Sequence, residues 1–239
     1  ENMGMKNVRL SLVRSFGIGV CYFTFVTFFS IVIGQNTMEI VESKFDHVKN
    51  SDGLMHNSTL LTFQDSRGYL WHGTSNGLYK FDGYNYKLYN NELGNKNSVI
   101  GNKLNSIAED GNGVVWIGTE QGLCYYDRNS DCFVRTIPSI DSPSDFVINK
   151  AVKAIYVDDL NNLWVGTSQG LYNFRYSIDG YKMNMYPSYE KDGLSSDVVN
   201  GIVSYKKGLL ISTNNGVKVV DISEDGKISI KKIVLPLRS

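Results

Sequence analysis

The chain has 239 residues with 24 Lys and Arg against 24 Asp and Glu, a balance that gives no electrostatic reason to expect nucleic acid or an acidic membrane surface as partner. A hydrophobic content of 42% and an aromatic content of 12% allow a real core and exclude intrinsic disorder as the main state. Glycine and asparagine, 23 residues each, far outnumber the 4 prolines, so turns are expected at residues that tolerate positive φ, in many tight hairpins.

Residues 1–35 read as a targeting segment. Lys6, Arg9 and Arg14 precede an uncharged run from Phe16 to Gly34, after which the chain turns polar at Gln35 and Asn36. That is the charge order of an export signal. The run of 19 residues is also long enough to span a bilayer. Cleavage after Gly34 or Gln35, with Val32 and Gly34 as the small-residue positions, and an uncleaved anchor both satisfy the pattern. Either places the remainder on the exported, periplasmic side. Cys21 reads as an apolar filler, and Glu1 and Asn2 ahead of Met3 suggest translated sequence upstream. An entry segment follows over 36–57.

From there the sequence repeats. Asp65 to Asp82, built around Trp71-His72-Gly73-Thr74 and Gly77-Leu78, returns as Asp110 to Asp127 around Trp116-Ile117-Gly118-Thr119 and Gly122-Leu123. A third copy runs from Asp158 around Trp164-Val165-Gly166-Thr167 and Gly170-Leu171, and a decayed fourth has Leu210-Ile211-Ser212-Thr213 and Gly216-Val217. The tryptophan position recurs after 45, 48 and 46 residues. Each unit divides into four short β-rich runs separated by turn residues. They are predicted at 59–65, 70–75, 77–82 and 85–90; 104–110, 115–119, 122–127 and 132–137; 152–158, 163–168, 170–175 and 181–187; and 198–205, 209–213, 216–221 and 228–234. Four strands at a period near 46 make a propeller blade. The expected fold is therefore all-β, a β-propeller over 58–239 with four antiparallel blades at about 58–90, 104–137, 151–187 and 198–234. The sequence stops right after the last of these strands, so an incomplete ring is expected.

The repeated residues have mechanical jobs. Asp65 with Gly68, and Asp110 with Gly113, fit the first and fourth positions of a tight turn. Trp71, Trp116 and Trp164 supply apolar area between sheets, and Gly73, Gly118 and Gly166 are expected to leave room for a large neighbour such as the tryptophan of the same or the adjacent blade. Thr74, Thr119 and Thr167 lead into hairpins closed at Gly77, Gly122 and Gly170.

This repeat resembles the two-component regulator propeller repeat, found in exported sensor regions of hybrid histidine kinases of Bacteroidetes. The resemblance rests on Trp-x-Gly-Thr-x-x-Gly-Leu with an upstream Asp-x-x-Gly and a downstream Phe or Tyr before Asp, and it covers about 45–234. Asp52-Gly53-Leu54 and Asp192-Gly193-Leu194-Ser195 are similar to that family's entry to the first strand. Departures are Asn161 for the turn Gly, Ser212 for the motif Gly, and His72 in a slot held by Ile117, Val165 and Ile211 elsewhere. The resemblance implies that the whole protein carries further blades, a membrane helix and a kinase core, that it takes a small-molecule or oligosaccharide ligand, and that a homodimer is an option for the full-length receptor.

Other chemistry finds little support. Asp110-Gly111-Asn112-Gly113 and Asp158-Asp159-Leu160-Asn161-Asn162 faintly suggest a calcium loop but lack the distal Glu. The three histidines, His47, His56 and His72, have no partners at metal-ligand spacing, and no Gly-x-Ser-x-Gly elbow occurs. No catalytic, cofactor or metal residue is assigned. Cys124 and Cys132 fall on the third and fourth strands of unit two, and a bond between them hangs on a register that the sequence leaves open. Two functions remain: a ligand-sensing module that signals to a kinase, and an exported propeller lyase or hydrolase, since propellers host both. For recognition the expectation is geometric. The interblade loops 91–103, 138–151 and 188–197 vary while the strands repeat, which makes Asn91, Asn95, Lys96, Asn97, Asp141, Ser144, Asp145, Asn149, Glu190 and Lys191 candidate ligand-face residues.

Overall fold

The computed structural model describes residues 59–140, 145–177, 180–187, 198–223 and 228–232. The chain divides into Glu1–His47 and Val48–Ser239, and the described residues all belong to the second unit. The expected export segment lies outside them. Among the described residues no helix is long and apolar enough to cross a membrane.

Among the described residues sixteen strands form four antiparallel four-stranded sheets, each in chain order. Blade one holds β1 (Thr59–Gln64), β2 (Leu70–Thr74), β3 (Leu78–Phe81) and β4 (Tyr86–Tyr89). Blade two holds β5 (Leu104–Glu109), β6 (Val115–Thr119), β7 (Leu123–Asp127) and β8 (Cys132–Val134). Blade three holds β9 (Val152–Val157), β10 (Leu163–Thr167), β11 (Gly170–Ser177) and β12 (Gly180–Pro187), and blade four β13 (Val199–Tyr205), β14 (Gly208–Thr213), β15 (Gly216–Ile222) and β16 (Ile228–Lys232). The first strands β1, β5, β9 and β13 lie beside one another in succession, which is the propeller arrangement. One outer strand is shorter than its sequence suggests: β8 ends at Val134, and Ile137 bridges to Phe146 instead. Pro138, which follows, has no amide to extend a ladder.

The core lies between blades. Trp71, Trp116 and Trp164 are at most 1% exposed. Trp71 packs in one cluster with Val115, Ile117 and Tyr126 of blade two, Trp116 with Val152 and Leu163 of blade three, and Trp164 with Val199 and Leu209 of blade four. The Trp71 and Tyr126 rings meet edge to face at 4.9 Å, and those of Trp116 and Tyr181 at 5.7 Å. Each tryptophan thus acts as the pin between its own blade and the next.

The motif glycines make room for a different neighbour than the sequence suggests. A Cβ on Gly118 would lie 2.5 Å from Val152 Cγ1, one on Gly166 2.6 Å from Val199 Cγ1, and one on Gly73 2.8 Å from Leu104 Cβ. At Gly118 and Gly166 the group that needs the space is the first apolar residue of the following blade's inner strand, and at Gly73 that residue shares the space with Leu61 of the same blade, whose Cγ would lie at 2.7 Å; none of them is a tryptophan. Sheets in van der Waals contact leave no gap for a side chain on both surfaces, so one side is reduced to hydrogen.

The turn aspartate reaches further than its turn. Asp65 Oδ1 accepts from the amides of Arg67 and Tyr69, and Oδ2 accepts from the Trp71 indole N–H at 3.0 Å. Asp110 serves Asn112, Val114 and Trp116, and Asp158 serves Leu160, Asn162 and Trp164, in the same way. In the third copy Asn161 replaces glycine at φ 61°, a conformation asparagine tolerates. Its Oδ1 accepts from the Gly111 amide at 2.6 Å, so the departure ties blade three to the turn of blade two. The motif threonine is a hairpin brace in all four blades. Thr74, Thr119, Thr167 and Thr213 each donate from Oγ1 to the carbonyl of Gly77, Gly122, Gly170 and Gly216.

Candidate functional site

A one-residue bulge interrupts the pairing of every inner strand with its neighbour. The register steps from Thr59 to Leu61, from Leu104 to Ser106 and from Val199 to Gly201, and in blade three Val152 and Ala154 pair with Thr167 and Gly166. The residues skipped are Leu60, Asn105, Lys153 and Asn200. A bulge frees a side chain from the alternation of its strand and re-aims it. Here three of the four skipped residues are polar, and each turns to a hairpin between a second and a third strand.

Glu120 is the centre of that contact. It opens the hairpin from β6 to β7 and accepts from Lys153 Nζ at 2.9 Å, Lys103 Nζ at 3.2 Å and Asn105 Nδ2 at 3.2 Å. Asn105 also donates to the Val152 carbonyl at 2.8 Å, which couples blades two and three. The hydrogen bond from Lys153, against the opposing effect of burial and with help from Lys103 and Asn105, holds the Glu120 carboxyl down at about 2. In blade four the corresponding pair is uncharged, with Asn200 Nδ2 donating to Asn214 Oδ1 at 2.9 Å.

The first two interblade loops, 91–103 and 138–151, arrive at these same hairpins, and 188–197 lies outside the described residues. The Gly77 amide donates to Asn102 O at 2.8 Å and the Glu120 amide to Lys103 O at 3.2 Å, while Leu123 and Ser168 donate to Ile148 and Ala151. Loop ends, hairpins and bulged residues therefore form one polar face with its donors and acceptors fixed by backbone. Within the first loop, Asn91 Nδ2 is spent on the Val99 and Ile100 carbonyls. The Asn95 side chain bonds Glu92 and the Asn97 amide, and the Phe133 amide donates to Asn97 O. Arg135 of blade two grips the loop through the carbonyls of Asn95, Ser98 and Val99. Lys96, Asp145 and Asn149 are exposed. Asp141, Ser144, Glu190 and Lys191 lie outside the described residues. The cluster around Glu120 was not singled out from the sequence. Its signal there is variation at one slot of an otherwise constant hairpin: Ser75, Glu120, Ser168 and Asn214.

Among the described residues, the histidine and the two cysteines lie on strands. His72 Nδ1 lies 3.1 Å from Thr62 Oγ1, Nε2 is buried with no partner, and burial lowers the imidazole's pKa. Cys132 pairs across from Asp127 and Val134 from Tyr125, so Cys124 lies three register positions away from Cys132 and both thiols are free. Burial pushes the Cys124 thiol up to about 12. The Asp110 carboxylate, once a candidate for a calcium loop, is occupied by two turn amides, the Trp116 indole and the Tyr181 hydroxyl.

Residues 98–121 and 147–169 match the family model described as the two component regulator propeller. Two stretches of the chain therefore carry the two-component regulator propeller repeat. An 82-residue stretch is 34% identical to "Histidine kinase P4" of Formosa agariphila, covering 34% of this chain and 6% of that protein. The fold superposes at a TM-score of 0.64, with 25% identity, on the extracellular domain of a B. thetaiotaomicron protein described as the hybrid two component system BT3049, covering 80% of this chain and 26% of that one. The extracellular domain of BT4673 from the same organism, described as a one component system, aligns at a TM-score of 0.58 and 20% identity over 78% of this chain and 28% of that one. This chain thus spans about a quarter of the length of those solved domains. Similarity to extracellular domains of two-component systems supports a sensor-region role for these blades.

Proposed function

We propose that the chain is the extracytoplasmic ligand-sensing region of a hybrid histidine kinase sensor, exported by its N-terminal signal or anchor and responding to a glycan fragment or another small extracellular ligand. In this reading the kinase core, the membrane helix and the blades that complete the ring are supplied by the rest of the full-length protein, which acts as a homodimer, and recognition is placed on the face formed by the interblade loops. One observation carries the proposal: loop ends, hairpins and bulged inner-strand residues meet on a single polar face, while the Trp, Gly and Thr positions beneath it repeat from blade to blade. The Lys103, Asn105, Glu120 and Lys153 cluster suits hydrogen bonding to hydroxyl-rich ligands. It is poorly suited to proton transfer, because a carboxylate held at about 2 by three donors stays ionised at neutral pH.

The test is loop exchange in the full receptor. Segments 91–103, 138–151 and 188–197 are replaced by those of a related receptor, and kinase output is measured against a panel of soluble oligosaccharides. The triggering ligand is expected to change while thermal unfolding of the isolated exported region stays cooperative. Unchanged specificity with folded blades would move recognition elsewhere in the protein.

A further inference from the structure

The outer edges of the four blades are not alike. An outer strand presents a row of backbone donors and acceptors that another chain can pair with, and natural folds blunt such a row. Blade one ends in β4, four residues with Lys87 among them. Blade two ends in β8, three residues, whose Phe133 amide already donates to the Asn97 carbonyl of the loop beside it. Blade four ends in β16, five residues that close on Lys231 and Lys232. Blade three ends in β12, eight residues that pair along their whole length with β11.

One end of β12 shows that its edge takes a further strand. The Tyr181 amide donates to the Pro138 carbonyl at 3.0 Å and the Ile140 amide to the Tyr181 carbonyl at 3.2 Å, in a parallel bridge centred on Ser139. Along a strand in an antiparallel pair, every second residue turns its N–H and C=O to the same side. The backbone groups of Met183 and Met185 therefore also point away from β11. Among the described residues no strand lies across from them. Met183 packs on the core cluster of Trp116, and Tyr186 on that of Trp164. Met185 is left 40% exposed at the edge. From Met183 to Pro187 the strand holds no charge to repel a copy of itself.

We propose that this edge is where two copies of the chain meet, β12 pairing antiparallel with β12 of a second copy about a two-fold axis at Met185. The inference gives the homodimer of the reading above its surface and rests on that part of the reading alone. Pairing a segment with itself is isologous and closes at two copies. Centring on Met185 keeps the incoming strand clear of Pro138 to Ile140. The two Met185 residues then exchange N–H to carbonyl bonds, and each Met183 amide donates to the Pro187 carbonyl of the other copy. Asn184 comes to lie across from Tyr186 of the other copy. Proline at 187 has no N–H to carry the row further.

The experiment uses the full chain in a non-ionic detergent that shields the apolar run of residues 16–34, with Cys21→Ser and Cys132→Ser so that buried Cys124 is the one native thiol left. Met185→Cys lies on the axis, where hydrogen-bonded partners stand about 5.5 Å apart at Cα, within disulfide reach. It should give a linked dimer under mild oxidation. Lys182→Cys, exposed on the same strand but three positions off the axis, should give at most a tenth as much. In sedimentation, Met185→Lys sets two lysines face to face and should weaken self-association of the parent chain at least tenfold, while Met185→Leu should keep it. Thermal melts report whether each variant stays folded. Equal linking of the two cysteine variants, a folded Met185→Lys that associates like the parent, or a parent that stays monomeric would overturn the proposal. None of these readouts involves a ligand or the interblade loops, so the loop-exchange result stands or falls separately.

Discussion

Blades one to three and blade four share a strand plan but not a junction, and the difference shows which parts of the repeat act as a unit. In the first three blades an aspartate six residues ahead of the tryptophan holds both the turn amides and the indole N–H. In blade four the tryptophan is Leu210, the aspartate is gone, and the turn shrinks to two residues with Lys206 at φ 53°. The three features disappear together. An aspartate there would have no indole to receive, and a long turn would have no carboxylate to organise its amides. The hairpin brace behaves independently: Thr213 keeps its bond to the Gly216 carbonyl although the rest of the motif has decayed. The Asp and Trp pair therefore belongs to the junction between blades, and the Thr and Gly pair to the blade itself.

The largest effect that can break this comparison is loss of the tryptophan. Trp116→Ala should destabilise the chain by about 3–5 kcal/mol, the range for deleting a fully buried large aromatic. Leu210→Ala, at a half-buried position, should cost clearly less. Asp110→Ala should cost about 1–3 kcal/mol, because it strands buried donors. In a double-mutant cycle by urea unfolding, Asp110→Ala should cost less in the Trp116→Phe background than in the parent, since phenylalanine has no N–H to strand. Additivity in that cycle would mean that the carboxylate serves the turn alone.

A smaller effect tests the close approach between blades. Gly118→Ala places a methyl group where Val152 Cγ1 stands at 2.5 Å, and overpacking of this kind costs about 1–3 kcal/mol. Val152→Ala should recover part of that loss when combined with it. In blade four the same slot already holds Ser212, so Ser212→Ala should be tolerated. Gly118→Ala proving as mild as Ser212→Ala in thermal melts would show that the blades yield more than the packing suggests.

Much of this architecture is legible in the sequence, because a motif recurring every 45 to 48 residues fixes strand number, order and hairpin positions at once. The face that the loops reach was less so. The bulges at Leu60, Asn105, Lys153 and Asn200 are matters of register, and a single skipped residue leaves no mark on a short apolar run. The partner of Gly118 is on another blade, so no local pattern names Val152. Asn91 and Asn97 read as candidate ligand-face residues. Their bonds go to the loop itself and to blade two, because a loop packed on a sheet must satisfy its own backbone first. The aspartate-to-tryptophan spacing of six was visible in all three copies, but its meaning needed the indole N–H to be seen at the carboxylate.

The finest contrast is between the charged hairpin of blade two and the uncharged one of blade four, and pH separates them. Glu120 is held near 2 against an ordinary value of 4.5. A carboxyl lowered on folding adds stability that is complete above its unfolded value and is lost as pH falls through its folded value, so the window runs from about pH 4.5 down to about 2. Burial opposes the same behaviour at Asp131, but donation from Lys87, Tyr126 and Tyr89 lowers it from 3.8 to about 2, and it titrates over much of that range. The two are separable by their lysines. Lys153→Met should flatten the fall of Tm across the window in part, and Lys87→Met should flatten a further part. Asn214→Ala in blade four should leave the slope as it is, because neither Asn200 nor Asn214 titrates. Each change is small, since Glu120 is about a third exposed and solvent-screened ion pairs contribute about 1 kcal/mol or less. The readout is therefore the slope of Tm against pH, compared between variants in one buffer series. An unaltered slope in Lys153→Met would mean that Lys103 and Asn105 alone keep Glu120 ionised, and that the bulged lysine of blade three contributes nothing to the hairpin of blade two.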